Sequence, residues 1–338
     1  MDISALITNV AILFIMMVPG VLLAKLKMCS DTFGKGLSNL VLYIAQPVLI
    51  VDAYLDCTAN FVDIWQDVLA VFVISLIAHA IFTAVAIPVF DRAPVARGRM
   101  LKFATIFSNA AFMGIPLIQY IFADKPEMAI YASIYNISFN LFLWTVGVIL
   151  CTRNKAEDLD ADGDSDAIDL YLRAKREVSL SKVVFHPVTL ASVIGLICLI
   201  SGVKSTGFIN IGLSVIPESM DMLRALVAPL SMVVIGIRLA KIDFKGFIND
   251  GYMYVFFLLR HFALPFAVLG LMKLAILVGI PLSDATVTVV TILACTPAAS
   301  SATMFAEKYN CDAQYTSRLV AVSTILCILT MPLVIMCV

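Results

Sequence analysis

The stretch SNAAFMGIPLIQYIF runs from Ser108 to Phe122, and no charged residue falls between Lys102 and Asp124. A run of that length and polarity is a candidate membrane span. Gly114-Ile115-Pro116 stands in the middle of it, and a proline removes a backbone donor and disturbs the preceding turn. At 1.5 Å per residue the interruption lies ~20 Å along a helix from Lys102, near the bilayer centre. Unpaired peptide groups are costly in lipid, so a break there survives only if protein buries it or a wet cavity lines it.

The rest of the chain has the same character. Of 338 residues, 61% are hydrophobic and 14% charged, with a mean hydropathy of +0.99. A soluble domain carries about a quarter charged residues. The composition is that of a multi-pass membrane protein with the lipid bilayer as its solvent. A net charge of −1 gives no basic field for nucleic acid. The apolar run at the N-terminus lacks a basic flank and continues to Lys25, so it is expected to be a retained first span, not a cleaved signal. The eight cysteines form no CxxC, and His79, His186 and His261 are scattered, so neither a metal site nor a cofactor is expected. No nucleophile–base pattern, paired carboxylate or metal spacing points to an enzyme.

Apolar runs at 3–24, 36–55, 68–90, 103–123, 128–152, 183–203, 285–306 and 319–338 mark eight spans, and 219–240 and 252–278 add two interrupted by Arg224, Arg260 and Lys273. Residues 205–217 are too short to cross and are expected along a surface. Of the 23 lysines and arginines, 18 fall in the odd-numbered loops. The positive-inside rule makes those loops cytoplasmic and both termini extracytoplasmic, in a cell membrane. The hydrophilic segment 153–182 is expected to be a cytoplasmic linker between halves 1–152 and 183–338. Its acidic part, DLDADGDSDAIDL, lacks the glutamate of a calcium loop, and its basic part suits a short amphipathic helix.

Five spans per half is an odd number, so two repeated halves must be inverted. Landmarks recur at one offset: Pro47 and Pro229 by 182, His79 and His261 by 182, Pro116 and Pro297 by 181, FADK (Phe122–Lys125) and FAEK (Phe305–Lys308) by 183. The expected fold is an all-α membrane protein of ten transmembrane helices, in two inverted five-helix repeats with helices 4 and 9 broken. Paired interruptions in matching spans point to a transporter's binding site. The helix starts that follow them, placed just after Pro116 and Pro297, favour an anion. Candidate substrate-binding residues are Asn109, Gly114, Ile115, Pro116, Thr296, Pro297, Ser300 and Ser301, with Asn136 and Asn140 at i, i+4 on one face of span five. His79, Arg260 and His261 are intramembrane ionisable groups, candidates for coupling or charge compensation.

These stretches resemble the auxin efflux carrier family, the PIN-like carriers of plants and their prokaryotic relatives. SNAAFMGIPL is similar to its fourth-span crossover and TPAASSATMFAEKY to its ninth. YIAQPVLI, APLSMVVIGIRLA and FNLFLWTVG resemble its second, seventh and fifth spans. His186-Pro187 stands where the family often has Asn-Pro, and the long central domain of the plant members is absent, so the likeness is to the short prokaryotic branch. The resemblance implies a scaffold of helices 1, 2, 6 and 7, with helices 3–5 and 8–10 moving across it as an elevator. It also implies small organic acid anions such as malate, malonate or indole acetate as cargo, and a homodimer joined through the scaffold.

Two other readings stand beside this one. A sodium-coupled organic-anion symporter of the bile-acid type uses hydroxyls and carbonyls for its ion. A membrane ligand sensor that does not transport expects an attached signalling domain. With a negative interior, anion exit is downhill, whereas uptake needs a proton, sodium or exchange partner.

Overall fold

Every apolar run of the sequence is mainly helical in the structure, a computed structural model that describes residues 3–152, 180–240 and 250–338. The first half holds α1 (Ile3–Ile15), α2 (Val18–Lys25), α3 (Thr32–Asp56), α4 (Phe61–Val89), α5 (Val95–Ile106), α6 (Ala110–Ile121) and α7 (Pro126–Thr152). The second holds α8 (Pro187–Ser201), α9 (Val215–Leu239), α10 (Gly251–Leu277), α11 (Asp284–Cys295), α12 (Ser301–Lys308) and α13 (Ala313–Ile335). Among the described residues there is no strand, only one isolated bridge between Ser108 and Ala298. Six helices (α3, α4, α7, α9, α10 and α13) are long and apolar enough to cross a membrane by themselves, and four shorter apolar helices accompany them. Residues 153–179 of the expected linker 153–182, with the acidic stretch, and the loop 241–249 lie outside the described residues, while Leu180–Val184 is a short helix.

Local chemistry sets the helix ends. Asn60 and Asp63 form a reciprocal capping box at the start of α4. The Ser283 hydroxyl accepts the Thr286 N–H at the start of α11, and the Asp312 carboxylate accepts the Tyr315 N–H at the start of α13. Gly202, at φ 75°, closes α8 in the left-handed conformation. Of the segment 205–217, only Ser205–Asn210 forms a separate short helix. Residues 215–217 already belong to α9, which begins earlier than the hydropathy run suggests.

Two pairs of helices cross between the halves. α3 packs on α8 and α2 packs on α9. Close approach at the second crossing depends on glycine, because a Cβ on Gly236 would strike the Met17 carbonyl. A second group gathers α4 and α7 against α11, with α10 and α13 beside them.

Prolines mostly do not break these helices. Among the described residues there are four π-turns, and three of them, Val41–Ala45, Ala110–Gly114 and Leu259–Ala263, end two residues before Pro47, Pro116 and Pro265. The wider turn moves the carbonyls out of register with the ring and absorbs the lost donor. This corrects the reading of Gly114-Ile115-Pro116 as the break. The chain is helical from Ala110 through Ile121, and the helix is interrupted earlier, at Phe107–Asn109. The following helix start is therefore at Ala110, not after Pro116. The second interruption lies between Cys295 and Ser301 and does contain Pro297.

Candidate functional site

The two interruptions meet. The Asn109 N–H donates to the Pro297 carbonyl at 2.7 Å, and the Ala299 N–H donates to the Phe107 carbonyl at 2.8 Å. This two-bond antiparallel contact, deep among buried residues, satisfies four peptide groups that lipid would leave unpaired. The Ala298 N–H goes to the Ser323 hydroxyl of α13 at 3.0 Å. Arg238 of α9 donates to the Ser300 carbonyl at 2.8 Å. Pro116 has no N–H for the Ala111 carbonyl, one π-turn earlier, and the Gln46 side-chain amide takes that carbonyl instead.

Arg260 completes the set. It is 0% exposed, and its guanidinium donates to Thr105 O at 3.0 Å, Ala294 O at 2.6 Å and Thr296 O at 3.0 and 3.2 Å. Thr105 lies at the C-terminal end of α5, and Ala294 and Thr296 at that of α11. Those ends carry the negative pole of each helix, so the cation sits where two dipoles converge. Its planar fork suits several carbonyls at once, and the Phe82 ring lies 5.8 Å away.

The expected residues divide into groups. Asn109, Gly114, Thr296 and Pro297 come together at the contact. A Cβ on Gly114 would lie 2.6 Å from Leu293 Cδ2 and 3.4 Å from Thr296 Cγ2, so the missing side chain lets α6 close on the end of α11. Ile115 and Pro116 are buried in the packing of α6. Ser300 is buried and gives its carbonyl to Arg238, while the half-buried Ser301 keeps an unpartnered hydroxyl. Asn136 bonds within its own helix, to Ala132 O at 2.9 Å. Asn140 turns away to His186 and Thr189 at the start of α8, both at 3.4 Å. His79 bonds Ser75 O through Nδ1 at 2.7 Å, within an aromatic group that includes Phe107 and Tyr135. His261 bridges Ser323 and Thr330, both at 3.0 Å, and so supports the hydroxyl that holds Ala298.

Several peptide acceptors at the contact are taken, and a buried donor remains. Asn109 is 2% exposed and its Nδ2 has no partner among the described residues. The hydroxyls of Thr105 and Thr291 are likewise buried and unpartnered. First-turn N–H groups of α6 and α12 have no intrahelical acceptor, as at any helix start. Donors, positive helix poles and an arginine make this a place for negative charge.

A family model described as membrane transport protein matches residues 5–335. The chain belongs to that family. It is the auxin efflux carrier family that the two interrupted spans resemble. No curated protein matches the chain. As a membrane transport protein it acts on small molecules within a bilayer, and the matched length includes both interruptions.

Sequence reasoning about this membrane transport protein missed Gln46, Arg238 and Ser323. Gln46 had a signal, since an amide in an apolar span must find a partner. Arg238 looked like one more basic residue at a cytoplasmic end. Asp52, inside the run 36–55, was equally quiet. It is buried and pairs with Arg224 at 2.9 Å. Asp56 and Asp221 pair with the same guanidinium at 3.4 and 2.7 Å. This cluster borders a cleft of about 290 Å³ lined by Ala53, Gln119, Lys125, Pro126 and Arg224. The carboxylates converge on the arginine, which fills the place a metal would take.

Proposed function

We propose that the chain is a secondary transporter that moves small organic acid anions, such as malate, malonate or indole acetate, by an elevator form of alternating access. The anion sits at the crossover of the two broken helices, beside Asn109 and the starts of α6 and α12. In this reading α1, α2, α3, α8 and α9 form the scaffold, and α4–α7 with α10–α13 form the moving bundle. The ten spans make two inverted repeats, 1–152 and 183–338, joined by the cytoplasmic segment 153–182.

The observation that carries the reading is the buried, unpartnered Asn109 amide donor at the crossover, beside two helix starts. The carbonyls of Phe107, Pro297, Thr105, Thr296, Ser300 and Ala111 are taken by Ala299, Asn109, Arg260, Arg238 and Gln46, while Asn109 Nδ2 keeps no partner among the described residues. The matched crossings of α3 with α8 and α2 with α9 support the inverted halves.

Proteoliposomes test the proposal. Uptake of labelled mono- and dicarboxylates is measured with and without sodium and with a pH step. Saturable uptake of at least one carboxylate is expected, and Asn109→Ala lowers its kcat/KM by about tenfold or more, the size of one lost hydrogen bond to a charged group. Sodium-dependent uptake would favour the bile-acid type of symport. Full activity in a folded Asn109→Ala protein removes Asn109 from the site.

A further inference from the structure

We infer that Arg260 is the fixed counter-charge of the transported anion, so that membrane voltage acts on the empty carrier and not on the loaded one. The inference rests on the elevator reading above and deepens it.

A census of charge leads to it. The chain has no charged residue between Asp67 and Asp91, Lys102 and Asp124, Glu127 and Arg153, Asp284 and Glu307, or after Arg318. Those intervals are the interiors of the helices assigned to the moving bundle, α10 excepted. In α10, Arg260 has nine uncharged residues before it and twelve after it. It is the one residue in the bundle's interior that is charged at neutral pH. Asp67 lies toward the start of α4, tied to Thr286, Ser283 and Tyr131. No acidic side chain among the described residues pairs with Arg260, and its guanidinium hydrogen-bonds to peptide carbonyls.

Carbonyl dipoles solvate a cation but do not cancel it. The empty bundle therefore carries one positive charge through the low-dielectric region each time it moves. The same guanidinium is pinned to the ends of both α5 and α11, which meet at the anion site, so it travels with that site and cannot snorkel away. A bound monoanion brings the interior to neutrality. A dianion brings it to −1, as costly to move as the empty state. Two consequences follow. The preferred cargo is a monovalent carboxylate, or a dicarboxylate holding one proton. An inside-negative potential draws the empty site toward the cytoplasm, where it loads, so voltage drives export through the return step. For a whole charge crossing the full field at a typical potential, the shift in the inward-to-outward ratio is ~50-fold.

The test uses the full chain in proteoliposomes with potassium diffusion potentials and labelled indole acetate as the monoanion. Exchange, with equal indole acetate on both sides, cycles only the loaded bundle. It is expected to keep its rate when the potential is imposed. Net flux, which needs the empty return, is expected to change several-fold. Malate dianion exchange is expected to be voltage-sensitive. In Arg260→Gln, which keeps an amide donor, the pattern reverses: indole acetate exchange becomes voltage-sensitive, and Arg260→Lys keeps the wild-type pattern. Should both variants fail to fold, the wild-type comparison of exchange with net flux still decides. Exchange as voltage-sensitive as net flux overturns the role of Arg260 while leaving anion transport standing. Absence of any carboxylate flux removes the transport reading and this inference together.

Discussion

Asn109 divides its work among its atoms. Its N–H holds Pro297, its carbonyl receives the Met113 and Gly114 N–H groups at 3.0 and 3.1 Å, and its Nδ2 is left over. The side chain was legible in the sequence, since an asparagine in a span demands an explanation. The backbone duties were not, because they depend on a partner 188 positions away in the chain. Asn140 shows the limit of the same logic. Polarity flagged it correctly as needing partners, but those partners are His186 and Thr189, away from the contact. Cys311 carries no signal in the sequence beyond belonging to no CxxC. It lies between α12 and α13, where the Cys151 thiol hydrogen-bonds it and the Arg99 charge adds to the effect, together outweighing burial and holding its thiol down at about 7. A thiolate forms above that value, so alkylation of Cys311 by iodoacetamide should be half-maximal near pH 7. Arg99→Ala should move the midpoint upward. Mass spectrometry of the labelled peptide across pH 5–9 reads both, and an unmoved midpoint would deny Arg99 its part.

At the scale of the element, proline has two outcomes in this chain. Pro297 sits within a true interruption. Pro116 ends a π-turn inside a helix that continues, and its orphaned carbonyl partner at Ala111 is taken by Gln46. Sequence pattern shows the lost donor in both cases but not what replaces it, so the first break was placed one to two turns late. The pairing of Gln46 with the proline's vacancy is open to a double-mutant cycle. Gln46→Ala alone strands the Ala111 carbonyl and should lower stability by ~1–2 kcal/mol. Pro116→Ala restores an N–H that can reach that carbonyl, so the loss from Gln46→Ala should shrink in that background by ~0.5–1 kcal/mol. Thermal unfolding in detergent measures the four proteins, and strict additivity would mean that the two residues are independent.

Across the whole molecule, the all-helical, apolar character was readable because each span must be apolar along its length; six of the ten expected spans are single helices long enough to cross, and the other four hold shorter apolar helices. How the halves interlock was not readable, because it depends on close approaches such as Gly236 on Met17. The proposed orientation is open to labelling. Cys57 is buried and cannot report, whereas Cys29 is partly exposed and Cys337 exposed. With the odd loops cytoplasmic, an impermeant maleimide applied to intact cells should label Cys337, and Cys29 only after permeabilisation. Both labelled from one side would remove the topology. The contact between the interruptions has a further consequence. Its two bonds join N–H and C=O groups of Phe107, Asn109, Pro297 and Ala299, and every residue type except proline supplies both groups. Side chains at Phe107, Ser108, Ala298 and Ala299 are therefore free to vary without undoing the joint, provided that they fit. Only proline at Asn109 or Ala299 deletes a donor. In the proposed carrier, descendants of this chain can drift from one cargo to another by point substitution while the backbone joint stays heritable and unchanged.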